Sequence, residues 1–237
     1  MPYLADNGWE CHALSLRGHG MSEGYEHIDA FGVQDFIEDI ETITARLPEP
    51  PIVIGHSQGG MLAQLYACKH SVAGVALLNS LGPGGLSGSF AHMSVNYPAI
   101  LNQIVMMQVF GPNAVNIDVM RYGLYSPDFP REDVIKYTKH FQKDSQRAVH
   151  ELMMPQWLNL LNRPDVPVLV IGGYADAFIP PSDVMATAML WRTEPLFLNI
   201  PHGCMLDSTW ELVASELNDW LDVSYADALT NQSAKRN

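Results

Sequence analysis

"IVIGHSQGGMLAQ", Ile52–Gln64, sets a serine among three glycines, between a strand-like run and a helix-like run. Two readings compete for Ser57. As a solvated turn residue it carries no chemistry; as a nucleophile it decides what the rest of the chain must supply. A serine hydroxyl is a weak nucleophile that needs a base, an exposed position and donors for a developing oxyanion. A sharp strand-to-helix turn supplies the last two together. Gly55 and Gly59 flank Ser57 two residues away on each side, and are expected to remove side chains where strand and helix nearly collide. Ser57 can then take a strained backbone conformation with its hydroxyl pushed outward. The amide of Gln58 opens the helix and points to the same space, where it can serve as an oxyanion donor.

If Ser57 is a nucleophile, a base and an orienting acid should follow, each near the C-terminal end of a later strand. Asp176 stands three residues after "VPVLVIGG" ends at Gly173, and His202 two residues after "PLFLNI" ends at Ile200. Serine, then aspartate, then histidine is the order this type of sheet uses. Nine histidines compete for the base. His56 adjoins Ser57 and points off the turn, His12 lies in a strand-like run, and His70, His140 and His150 lie on helices or their ends. Each of these reads as a surface or packing residue. His19 sits in an early turn, and His202 alone has a late strand-end position. For the acid, Asp183 falls in the first turn of the next helix, where a carboxylate favours the helix dipole without chemistry. Asp207 is likewise explained by the beginning of a helix.

Outward from the serine, short apolar runs alternate with helical patterns. "ECHALSL" (Glu10–Leu16) reads as a strand closed by the turn "RGHGMSEG". Val33, Phe36, Ile37, Ile40, Ile43 and Leu47 recur at helical spacing, and "LPEPP" ends that helix. "IVIG", "VAGVALLNS", "VPVLVIGG" and "PLFLNI" are further strands, with helices expected over 58–69 and 182–191. "STWELVASELNDWL" closes the pattern, with Ser208 and Glu211 at capping-box spacing. Such alternation predicts a mostly parallel sheet covered on both faces. Between Gly82 and Arg163 only helical pieces occur, the last of them "PREDVIKYTKHFQKDSQRAVHELM" with Asp128 and Pro130 as cap and first-turn residues. An insertion of this size reads as a cap, and its opening "LGPGG" suits a hinge. The expected organisation is a core of residues 1–81 and 164–222, a helical cap over 82–163, and a polar tail over 223–237 that frays.

Bulk properties narrow the partners. In 237 residues, 47% hydrophobic and 16% charged, the composition is that of one globular core. A net charge of −13 repels nucleic acid and anionic membrane surfaces. No apolar run is long enough for integral membrane association, and the first residues lack the pattern of a secretory signal. Cys11, Cys68 and Cys204 are scattered, odd in number and without metal-ligand spacing. Free thiols in a reducing compartment, the cytoplasm, are the expectation.

Together these stretches resemble the α/β-hydrolase superfamily nearly end to end. "LADNGWECHALSLRGHGMSEG" is similar to its fourth-strand region, "VIGHSQGGMLAQLYA" to the nucleophile elbow, "VLVIGGYADAFIPP" to the acid loop, and "IPHGCMLDSTWELVASELNDWL" to the histidine loop and closing helix. The likeness is to the bacterial esterase- or lysophospholipase-like branch. It implies an α/β-hydrolase fold with a helical cap. By matching residues it also implies Ser57 as nucleophile, Asp176 as acid, His202 as base and the Gln58 backbone as oxyanion donor. No metal or organic cofactor is implied. In the family a strand ending in a His-Gly loop precedes the region matching Met1–Gly8, and its loop gives a second oxyanion amide. The sequence opens after it, so the chain reads as N-terminally shortened, lacking a donor typically worth about 2.7–4 kcal/mol. Proline before His202 also departs from the family's small residue or glycine.

The implied reaction is hydrolysis of a small-to-medium apolar carboxylic ester through an acyl-enzyme. Serine rather than aspartate at the elbow argues against the haloalkane dehalogenase and epoxide hydrolase branches. Met93, Met106, Met107, Met120, Met153 and Met154, with Tyr97, Phe110 and Tyr125, are expected to give an adaptable apolar pocket, although simple packing competes for each. Two other functions share the same residues: a catalytically impaired or binding-only fold, and a cofactor-free lyase or C–C bond hydrolase.

Overall fold

The computed structural model describes residues 1–235, with side chains to Ser224. Four strands, β1 (Ile52–His56), β2 (Gly74–Leu78), β3 (Val168–Gly173) and β4 (Pro195–Leu198), form one parallel sheet in the order β1-β2-β3-β4. Parallel strands covered on both faces are continuous apolar runs, and all five residues of β2 are buried. Alternate residues divide between two cores. Val75, Leu77 and Val170 pack with α2 (Val33–Thr44), α3 (Gln58–Ala67) and α9 (Pro181–Trp191). Ala76, Leu78, Leu169 and Ile171 pack with α1 (Pro2–Asp6) and the first part of α10 (Trp210–Lys235).

Between β2 and β3 the described chain is helical: α4 (Leu86–Asn96), α5 (Pro98–Phe110), a 3-10 turn at Pro112–Ala114, α6 (Ile117–Leu124), α7 (Arg131–Thr138) and α8 (Gln146–Met153). The single helix expected over 130–153 is thus two. Buried Ser145 makes the break by capping α8, accepting from the Ala148 amide at 3.1 Å. Asp128 does not cap α7, whose N-cap is Pro130. α8 in turn holds α2, since the Glu151 carboxylate accepts from the Val33 amide at 2.7 Å.

Glu10–Leu16, expected as a strand, forms none. Its alternation suits an extended conformation, but a strand also needs a neighbour's carbonyls and amides. None of the described strands pairs with it, and β1 has β2 on one side only. Ile54, in the middle of β1, is consequently 41% exposed. Residues 11–15 instead wall a cavity of about 800 Å³ whose far side includes Asp39, Thr42 and Ile43 of α2.

At the other end α10 continues to Lys235, past the point where a frayed tail is expected. From Asp222 to Lys235 there is no glycine or proline, and alanines recur, so nothing local ends the helix. Residues 236–237 of that tail lie outside the described residues. No helix among the described residues is long and apolar enough to cross a membrane.

Candidate active site

Ser57 follows β1 directly and begins α3 at φ 54° and ψ −123°. Such a conformation costs a residue with a side chain about 1–3 kcal/mol and persists only when its surroundings enforce it. Here the Ser57 amide donates to the Leu78 carbonyl at 3.1 Å, while its carbonyl accepts from Gly60 at 3.0 Å and Leu81 at 3.1 Å. Gly55 makes the bend possible, because a Cβ there would lie 2.4 Å from the Gly59 oxygen. The expectation for Gly59 is corrected: a Cβ there meets nothing within 4 Å. The second glycine that packing demands is Gly60, where a Cβ would lie 2.3 Å from Ser80 Oγ. Gly59→Ala is therefore expected to hold or raise stability by up to about 1 kcal/mol. Gly55→Ala should lower it by about 1–3 kcal/mol or more, and urea denaturation of the pair checks both.

β3 ends at Gly173 in close backbone contact with the loop after β4; a Cβ on Gly173 would lie 2.3 Å from the Ile200 oxygen. That contact sets Asp176 beside His202. Asp176 Oδ1 accepts from the amides of Phe178 at 2.7 Å and Ile179 at 3.0 Å, leaving Oδ2 for His202 Nδ1 at 2.9 Å. Both side chains are withdrawn from water, Asp176 at 4% and His202 at 5% exposure. A carboxylate only accepts, so Nδ1 carries the proton and Nε2 has a free lone pair. His202 Nε2 lies 3.1 Å from Ser57 Oγ. The Phe178 ring stacks on the imidazole with centroids 4.4 Å apart. The structure thus brings together the three side chains singled out in the sequence. Gln58 occupies the first position of α3, where an amide has no acceptor inside the helix.

Two residues at this site were not anticipated. His56, read as a surface or packing residue, reaches the His202 carbonyl with Nε2 at 2.8 Å. Asn79, just beyond β2, reaches the Pro201 carbonyl at 3.0 Å. Neither carries a signal in the sequence beyond its place at a strand end. Of the other histidines, His12 meets Glu10, His19 meets Asp144 and His70 stacks on Tyr66.

The rival acids are also accounted for. Asp207 is fully buried and accepts from Ser126 N and Oγ, each at 2.7 Å, and from Thr209 N at 3.1 Å. Burial pushes its pKa up, but these bonds outweigh it and hold the carboxyl below its ordinary range. Asp207, rather than Ser208, organises the beginning of α10. Nearby, the Gly203 amide donates to the Leu124 carbonyl at 2.7 Å, so the helical segment touches the histidine loop twice.

Asp183 packs against Gly82 and Gly88, and its buried Oδ2 has no hydrogen-bond partner among the described residues. Burial pushes its pKa up to about 6. Folding then disfavours the ionised form: stability falls as pH rises from about 4, where the unfolded carboxyl ionises, to about 6, and is level above. Asp183→Asn is expected to remove that fall. The variant should exceed the parent by up to about 2 kcal/mol at pH 7 and match it near pH 3.5 by urea denaturation.

Burial raises the thiols of Cys68 and Cys204 to about 11 and about 12, and all three cysteines are free. No group of three or more His, Cys, Asp or Glu among the described residues could hold a metal ion. The cavity beside residues 11–15 includes none of Ser57, Asp176 and His202 in its lining. Met93, Met120 and Tyr125, expected around a pocket, are buried in the packing of the helical segment.

A family model described as "alpha/beta hydrolase fold" matches residues 1–117. The esterase EaEST from Exiguobacterium antarcticum superposes with a TM-score of 0.69 at 15% identity, covering 87% of this chain and 79% of that one. The chain has the α/β-hydrolase fold. Another structure with this α/β-hydrolase fold is the monoacylglycerol lipase of Paleococcus ferrophilus, with a TM-score of 0.59 and 20% identity over 87% of this chain and 80% of that one. The pimeloyl-[acyl-carrier protein] methyl ester esterase of Sodalis glossinidius (strain morsitans) is 23% identical over 198 residues, 76% of this chain and 70% of that one.

Proposed function

We propose that this α/β-hydrolase cleaves a small-to-medium apolar carboxylic ester, with Ser57 as nucleophile, His202 as base and Asp176 as its orienting acid. The observation that carries the reading is the unbroken run of contacts from Asp176 Oδ2 through His202 to Ser57 Oγ at a strained turn. His202 Nε2 takes the hydroxyl proton as Oγ attacks the ester carbonyl, and Asp176 stabilises the resulting imidazolium. The Gln58 amide donates to the oxyanion. The imidazolium then protonates the departing alkoxide, and the alcohol leaves. Water, deprotonated by His202, hydrolyses the acyl-enzyme, releasing the acid and restoring Ser57. Every proton has a carrier among these residues, so the cycle requires no cofactor.

Esterase and lipase names among the relatives support an ester. An apolar one is supported by Phe178, which stacks on His202 and also packs against the buried cluster of Met93, Ile100 and Ala177. The same cluster, with the Gly203–Leu124 bond, supports residues 82–163 as a cap over the site. p-Nitrophenyl esters from acetate to palmitate are the test. Turnover should be highest at short to medium acyl length, and a fluorophosphonate should add its mass to the peptide containing Ser57. Preference for a cyanohydrin or diketone over every ester would overturn the reading.

A further inference from the structure

Two polar side chains that the reaction does not consume converge on the backbone of His202. His56 Nε2 lies 2.8 Å from its carbonyl oxygen, and Asn79 Nδ2 lies 3.3 Å from the same atom. They come from adjacent strands, His56 as the last residue of β1 and Asn79 one residue beyond β2. Asn79 is fully buried at φ 43°, with its amide bonded to the Ile171 carbonyl at 2.8 Å. A side-chain-bearing residue in that region needs a reason, and asparagine is among the few that tolerate it.

A carbonyl oxygen only accepts, so His56 presents Nε2–H and leaves Nδ1 unprotonated. Burial, and then the charge His202 carries when protonated, push the His56 pKa down to about 3. The ring is therefore neutral wherever His202 can act as a base. This matters because the two ring centroids are only 4.7 Å apart. A cation at His56 would oppose the imidazolium formed on His202 in each turnover; a neutral donor does not.

Resting on the reading of Ser57 as nucleophile, we propose that His56 and Asn79 are positioning residues that set the reach of His202 to Ser57. Asp176 and Phe178 fix the ring's tilt and tautomer, but not where residue 202 sits along its loop. The bonds to the His202 carbonyl do that, anchoring the residue to the rigid ends of β1 and β2. Near the reacting atoms a displacement of about 1 Å can cost about 100-fold in rate.

The test compares the parent with His56→Leu and His56→Gln, whose amide can donate from close to the same position. Fluorophosphonate labelling rates and ester kinetics are scaled to folded protein measured by near-UV circular dichroism. His56→Leu should label and turn over about 10- to 100-fold more slowly, with KM within about twofold, and His56→Gln should recover most of the loss. Should His56→Leu not fold, His56→Asn, whose shorter amide stops short of the carbonyl, takes its place and must show the same deficit. Parent-like kcat per folded molecule in the leucine variant, or a glutamine variant as slow as leucine, overturns the proposal. A parent that does not label at all overturns the Ser57 reading, and this proposal with it.

Discussion

Replacing Ser57 with alanine is expected to lower kcat for a p-nitrophenyl ester by about 10⁴-fold or more and to abolish fluorophosphonate labelling. The deleted atom is the one 3.1 Å from His202 Nε2, so the imidazole keeps its acid partner but has only water to activate. Substrate contacts elsewhere are untouched, and KM should stay within a few-fold. Folding should be unaffected as well, because alanine retains the Cβ and with it the cost of φ 54°. Ser57→Gly provides the companion measurement. It should be equally inactive yet more stable than the parent by about 1–2 kcal/mol, since glycine occupies that conformation without penalty. Ester turnover by the alanine variant within tenfold of the parent would remove Ser57 from the chemistry.

Asp176→Asn should cost about 10⁴-fold in kcat while leaving the fold intact, for a reason specific to this acid loop. The amides of Phe178 and Ile179 both donate to Oδ1, so the asparagine must turn its carbonyl oxygen to them. Its NH₂ group then faces His202 Nδ1, which has to accept. The imidazole proton moves to Nε2, the nitrogen facing Ser57 Oγ, where a donor cannot serve as a base. Geometry is kept and the tautomer is inverted. Asp176→Ala loses the loop's two amide bonds in addition, and should show lower stability alongside its lost activity. Measuring kcat and urea midpoints for both variants separates the effects; an asparagine variant with parent-like kcat would show that Asp176 does not set the tautomer.

The contrast between these residues and the others explains how far the sequence could be read. The elbow, the acid and the histidine were visible because each is tied to the end of a strongly apolar strand, and strand ends fix position in a parallel sheet. Residues 10–16 have the right local pattern but no strand partner among the described residues, and pairing is a property of two segments that one segment's periodicity does not contain. The roles of Gly59 and Gly60 depend on which Cβ would meet Ser80, a contact across 20 positions. His56 and Asn79 act on a carbonyl more than 120 residues away, and the Asp207 bonds span 81. Single residues with long-range polar partners leave no periodic trace.

The attachment of the helical segment has a mechanical consequence. Leu124 holds the Gly203 amide and Ser126 donates to Asp207, so residues 124–126 are tied at two points to the loop that carries His202. Under the proposed function, lifting them to admit an ester would strain the placement of the imidazole against the hydroxyl. Phe178 adds a further tie, since it stacks on the imidazole and packs against the cluster formed by Met93 of α4 and Ile100 of α5. Openness and readiness are thereby coupled: in the proposed hydrolase, swinging the helical segment aside would uncock the proton relay.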